Sequence, residues 1–462
     1  MPRHLLAYAG LIAALSPLTA QAAVDTPRVR TDWTIEQIAK ATAAAWPALA
    51  DEKLDMAFYR SAQILASDGR RAWLIDAHGH RAIDAKAVRA LDLPPDGGTY
   101  APLEWQGKPT VYLGMAGDLA DAKNRCPTRE PCHTWEDLFS LATHEALHFY
   151  GQNNWHEQAE TSRATPFPIE TTPRQYRGQL LLRLRDAIDG KPQALGQASY
   201  WLKRWQAEYP EEARNIADTD RMEGVAMYVD RLAVLLANRA PRYSAQWRRI
   251  LLKQADHDLE YRVGISVDEE SYTLGALASA LLDRRGVSWW QRVAAGATPL
   301  DLLLQGEPPI VNDADQALNE RIRQVVQRRL GWIGLAISPF VQTWQASDSR
   351  ILLLPDSALR GSYQSAGFFS LSHGPRTLIH RFDATLALSG GRARIKSATV
   401  AQIGAAFDCA PGSDRFYAIA LTPEELSPSR DGRLRLENER FSIDIPFPQQ
   451  SGAQPRMYCA QA

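Results

Sequence analysis

Apolar positions recur at helical intervals along most of the first 345 residues, and beyond that point they alternate. From Asp32 onward Ile35, Ile38, Ala39, Ala45 and Trp46 share one helix face. Pro47 is expected to end that run, with largely helical sequence continuing to about Gly69. Residues 91–107 are rich in turn formers, and Pro109 to Met115 reads as a short strand. Thr172-Pro173, then Tyr176, Leu180, Leu184 and Ile188, then Gly190, predict a helix with a first-turn proline and a glycine stop. Leu195, Leu202, Trp205 and Tyr209 predict the next helix, closed by Pro210. Met222, Val225, Ala226, Val229, Leu232, Ala233 and Leu236 then form an unbroken stripe that marks a buried helix.

After about residue 345 the period becomes two. Ile351–Leu354, Leu378–His380, Thr385–Leu388, Phe416–Ala420, Leu434/Leu436 and Phe441/Ile443/Ile445 are short β runs separated by Gly390-Gly391, Asp431-Gly432 and proline-containing turns. The pattern predicts an α+β chain: a mixed part over 23–133, a helical part over 134–345, and a small C-terminal β-sandwich domain over 346–462.

The first 22 residues change this picture. Arg3, an apolar run from Leu5 to Leu18, and Ala20-Gln21-Ala22 have the layout of a secretory signal peptide with an A-x-A cleavage site. The run is too short for a membrane anchor and is interrupted by Ser16 and Pro17, so the chain is expected to be exported, with no membrane-spanning segment after cleavage. The basic and acidic totals, 52 and 53, nearly cancel and no segment concentrates Lys and Arg, which argues against nucleic acid as a partner. In an exported protein the four cysteines favour disulfides, and pairing Cys126 with Cys132 and Cys409 with Cys459 keeps each bridge within one region.

The candidate chemistry lies in THEALHFYGQNNW, residues 143–155. Thr134 with Asp137 can open a helix running to Gly151, whose back stripe is Phe139, Ala142, Ala146 and Phe149. His144 and His148, four apart, then point the same way and can converge on one Zn²⁺, while Glu145 can reach a water at that ion. Two histidines on a helix face with no metal remain the plainer alternative. In the metzincin pattern H-E-x-x-H-x-x-G-x-x-H, Gly151 fits, but Asn154 stands at the last position and His156 lies two residues too late.

Met222-Glu223-Gly224-Val225-Ala226 resembles the E-G-x-A segment of gluzincin zinc metallopeptidases. The resemblance covers the two ligand helices, about a fifth of the chain, and 74 residues separate His148 from Glu223. It implies a mainly helical zincin-like catalytic region holding one Zn²⁺ per chain, with His144, His148 and Glu223 as ligands. It further implies Glu145 as general base, small residues that let the glutamate's helix pack against the H-E-x-x-H helix, and a peptide or protein substrate. Glu223 is expected in the first turn of its helix, where Asp220 and Glu223 could instead form a capping box. Glu157 and Glu160 stay open as other third ligands. Tyr272 is the candidate for stabilising an oxyanion, with Tyr228 and His257 competing. The expected function is an exported zinc metallopeptidase. The alternative is a cell-envelope binding protein on an inactive zincin scaffold.

Overall fold

Helix α1 (Pro27–Ala50) lies against a five-stranded sheet formed by β1 (Gln63–Ser67), β2 (Ala72–Asp76), β3 (Gly79–Ile83), β4 (Tyr100–Trp105) and β5 (Lys108–Gly114), with the short α2 (Ala85–Arg89) between β3 and β4. The computed structural model describes residues 27–52, 56–95, 98–116, 134–156, 161–371, 377–411, 415–452 and 456–462. The expected leader, the Cys126–Cys132 bridge, Glu157 and Glu160 lie outside them. The strand order is β3-β2-β1-β5-β4, with β1 and β5 parallel and the other pairs antiparallel, which leaves β4 at an edge.

Two expectations are corrected in this part. Helical sequence does not continue to Gly69: Gln63–Ser67 is strand β1, buried at every position. A short apolar run covered on both faces carries no period by which to tell strand from helix. Pro47 does not end α1 but sits inside its last turn, where one backbone bond is forgone.

The helical part contains α3 (Thr134–Ala146), α4 (Thr171–Ile188), α5 (Ala194–Glu208), α6 (Pro210–Ala237), α7 (Ala245–Tyr261), α8 (Val267–Arg284), the short α9 (Trp290–Ala294) and α10 (Pro299–Leu304), and α11 (Gln316–Gln345). Helix α6 is the axle. Its apolar stripe is buried from Val225 to Ala233, with Met222 and Leu236 half-buried at the two ends, and α1, α3 and α8 all pack on it. Among the described residues no helix is long and apolar enough to cross a membrane.

Strands follow α11, so the change of period falls where the alternation places it, and the chain is α+β. Strands β7 (Arg350–Pro355), β8 (Phe368–Leu371), β9 (Thr377–Leu388), β10 (Gly391–Gly404), β11 (Arg415–Leu421), β12 (Arg433–Glu437), β13 (Phe441–Pro446), β14 (Gln449–Gln450) and β15 (Met457–Cys459) join a strand from the helical part, β6 (Thr165–Phe167), in one hydrogen-bonded sheet. β6 pairs parallel with β8. The first half of β10 pairs with β13 and its last residues with β11, and register shifts between Ile395 and Val400 separate the two. The sheet therefore folds over on itself around Leu352, Phe382, Leu386, Ile395 and Ile443, as the layers of a sandwich do. Its other face, with Ile351, Leu353 and Phe416, joins the helical core. Cys409 and Cys459 are both buried and disulfide-bonded.

Candidate metal and catalytic site

Helix α3 is fixed from behind before its front carries any chemistry. Phe139, Ala142 and Ala146 are fully buried. The Tyr59 hydroxyl donates to Thr143 O at 2.6 Å, and Trp46 Nε1 donates to Thr143 Oγ1 at 3.0 Å. From Leu147 to Gly151 the helix widens into a π-turn, so Gln152 N bonds back five residues to Leu147 O at 2.8 Å. Gly151 is thus not the left-handed stop that the sequence suggests. It lacks a side chain because Leu147 and Phe58 occupy the space a Cβ would need.

His144 and His148 face Glu223 of α6. The two Nε2 atoms lie 2.9 Å apart, and Glu223 Oε2 is 3.2 Å from each. The other ring nitrogens are held from outside: His144 Nδ1 is 3.2 Å from Asp230 Oδ2, and His148 Nδ1 is 2.6 Å from Gln152 Oε1. Both acceptors take a proton from Nδ1, which leaves each Nε2 lone pair directed at the shared point. Gln152 is itself fixed by Nε2 donating to Met222 O at 3.0 Å.

This triangle fits a metal. A tetrahedral zinc site with bonds of ~2.0–2.1 Å has ligand–ligand edges of about 3.3 Å, and two imidazoles plus one carboxylate with an open side is the catalytic type of donor set. Among the described residues these three form the one group of histidine, cysteine and acidic atoms close enough to hold an ion. Without a cation the same groups neutralise one another. Burial alone would lower the His144 pKa, but hydrogen bonds to Asp230 and Glu223 carry it up to about 10. Burial would likewise raise Glu223, yet His148, Arg163 and the hydrogen bonds from both imidazoles hold it well below the usual carboxylate range. A divalent cation and the imidazole proton compete for the same nitrogens.

Glu223 sits in the middle of α6, not in its first turn, because the helix begins at Pro210. Asp220 does not cap it. Instead Asp220 takes both arms of the buried Arg177, at 2.7 and 3.1 Å. Gly224 also departs from expectation: it opens space for Gly275 of α8 rather than for the histidine helix. This close crossing brings Tyr272 to the site, its ring stacked on His144 with centroids 6.1 Å apart.

Glu145 is buried beside the histidines. Desolvation raises its pKa, while His148 and His144 and a hydrogen bond from Tyr100 act against that shift. Arg163 closes the far side: it lies 3.3 Å from Glu223 Oε1, donates to Asp268 at 2.8 Å and to the Tyr272 hydroxyl at 3.1 Å, and stacks on Phe368. The competitors of Tyr272 are engaged elsewhere. Tyr228 donates to Asp283 at 2.7 Å, and the exposed His257 pairs with Asp258. His156 is exposed and contributes its backbone to Ala294 and Arg221.

Tyr100, Gln152, Arg163, Asp230 and Asp268 escaped the sequence reading. Two had a local signal. Gln152 stands four residues after His148, and Asp230 stands two helical turns after Glu223 on the same face. Comparison of the chain with protein-family models, with curated proteins and with solved structures finds no match.

Proposed function

We propose that this chain is an exported zinc-dependent peptidase. The convergence of His144 Nε2, His148 Nε2 and Glu223 Oε2 at 2.9–3.2 Å, with Glu145 adjoining, carries the reading. Zinc held by these three residues would supply Lewis acidity, polarising a substrate carbonyl and easing deprotonation of a water.

The chain's own groups do the rest. Glu145 accepts a proton from the attacking water and passes it to the leaving amine. Tyr100 faces Glu145 and offsets part of the pKa rise that burial imposes on that carboxyl. Burial pushes the Tyr272 hydroxyl well above its ordinary pKa, so it keeps its proton and can donate to an oxyanion while accepting from Arg163. Asp230 and Gln152 fix the two imidazoles in the ligating tautomer. The apolar N-terminal run with its A-x-A site supports export.

The test is metal content together with hydrolysis. The purified protein should hold one zinc per chain by mass spectrometry, and a chelator should abolish peptide cleavage until zinc is restored. A folded protein that takes up no zinc at micromolar free metal would sink the reading.

A further inference from the structure

Strand β4 runs beside the site: it packs on α3, and the Tyr100 ring at its start lies 6.2 Å from that of Phe149, the neighbour of His148. It is also an edge strand, so its outer backbone would be the natural place for an extended peptide to add by strand pairing. The alternation of β4 decides which groups face outward. Thr99 O accepts from Gly114 N, and the Leu103 backbone faces Thr110 of β5, with the Tyr150 hydroxyl bridging them. Tyr100, Pro102 and Glu104 therefore turn their backbone groups away from the sheet.

Neither of the first two offers a donor. Pro102 has no N–H, and the Tyr100 N–H donates to Ser362 Oγ at 3.0 Å. Ser362 belongs to a segment of the C-terminal sheet that is held on both sides. Arg360 N donates to Thr385 O at 2.9 Å, Gln364 N and Asp383 N exchange bonds with each other's carbonyls at 3.0 and 2.9 Å, and Ala366 N donates to His380 O at 2.8 Å. Gly361 packs so closely on Thr99 that a Cβ there would collide with its methyl. The segment is thus strapped along β4 where the strand approaches Glu145.

From this geometry we infer that Ser362 and Pro102 close the sheet edge at the site to strand addition, so that the site selects short peptides over the internal bonds of an extended polypeptide. The inference rests on the peptidase reading and specifies its substrate class. A short peptide needs few backbone bonds and can be held by the metal, Glu145 and the Arg163–Tyr272 wall. A long chain would have to pair with an edge that has lost two successive donors.

The test uses the full zinc-loaded protein with two probes: a mixture of free tri- to pentapeptides, and reduced, alkylated ribonuclease as an unfolded long chain, with products read by mass spectrometry. Cleavage of the short peptides without internal fragments of the long chain is the expected result. Internal fragments formed at a comparable kcat/KM would overturn the inference and leave the peptidase reading standing; cleavage of neither probe by zinc-bound protein would overturn both. In the double variant Pro102→Val/Ser362→Ala, kcat/KM for the long chain relative to the short peptides should rise roughly fivefold or more for each backbone hydrogen bond restored. An unchanged ratio in folded, zinc-bound double variant would count against the strap as the cause of selection.

Discussion

Gly224 of α6 and Gly275 of α8 meet backbone to backbone. A Cβ built on Gly224 would fall well inside contact distance of the Gly275 Cα, and one built on Gly275 would fall on the Asp220 carbonyl. The crossing is central to the site because Glu223 immediately precedes one glycine and Tyr272 lies one turn before the other, so the distance between these helices sets the distance between a metal ligand and its neighbour.

Gly224→Ala should accordingly destabilise the protein even though alanine is the better helix former. Overpacking of this kind costs about 1–3 kcal/mol or more, against roughly 1 kcal/mol gained in helix propensity. Zinc affinity should fall with it, because the displaced α6 carries Glu223. Calorimetric Tm and a zinc titration check both, and a variant as stable as the parent would show that the helices have room to spare.

Glu145, which is buried, and Glu223, which is half-buried, lie near one point but have different jobs. Glu145→Gln should keep about one zinc per chain while losing roughly 10²- to 10⁴-fold in hydrolysis, the usual worth of general acid–base help. Glu223→Ala should lose zinc itself, with activity falling in consequence. Metal analysis of the two purified proteins separates the roles; full zinc occupancy in folded Glu223→Ala would reopen Glu157 and Glu160 as third ligands.

Asp230 and Gln152 touch the imidazoles from behind. Asp230→Ala and Gln152→Ala should each weaken zinc binding by about 10- to 100-fold, as loss of a partner that orients a ligand histidine typically does. Asp230→Asn retains an acceptor for His144 Nδ1 and should lose less. Competition against a fluorescent chelator gives the ordering, and equal loss in Asp230→Asn and Asp230→Ala would assign the effect to charge rather than orientation.

His380 of β9 gives the chain an acid sensitivity apart from the metal. It is buried, its Nδ1 has no partner among the described residues, and burial together with Arg329 and Arg381 lowers its pKa to about 4. An unfolded histidine titrates near 6.5, so the folded state binds fewer protons between these values. Its contribution is fully present above about 6.5 and is lost as pH falls through about 4, a swing on the order of 3 kcal/mol. Denaturation midpoints between pH 4 and 7 should fall steeply for the wild type and less steeply for His380→Leu. Parallel curves would place the acid sensitivity elsewhere.

Much of the fold was legible because helix and strand periods are written locally. The stripe from Met222 to Leu236 identified the central helix, and the switch to alternation near residue 345 identified the strands. The reading failed where local pattern is silent. Gln63–Ser67 is buried on both faces and shows no period. The Asp220–Glu223 spacing suggested a cap because Pro210 read as the end of one helix rather than the start of the next, a position where proline's missing N–H costs nothing.

The sequence by itself determined a helix presenting His144, Glu145 and His148, and it supplied Glu223 as a candidate partner, since spacing of four residues on one helix is independent of the rest of the molecule. Only the tertiary structure decided that Glu223 lies within 3.2 Å of both imidazoles, that Asp230 and Gln152 hold them, and that Arg163 and Tyr272 form the opposite wall. It also decided that a serine from the C-terminal sheet occupies the edge of the N-terminal one, 262 residues apart in the chain. Such contacts depend on how closely α6 and α8 cross and on where the folded-over sheet is anchored. Those distances are set by side-chain volumes and backbone donors from several distant segments at once, and no single stretch of the chain encodes them.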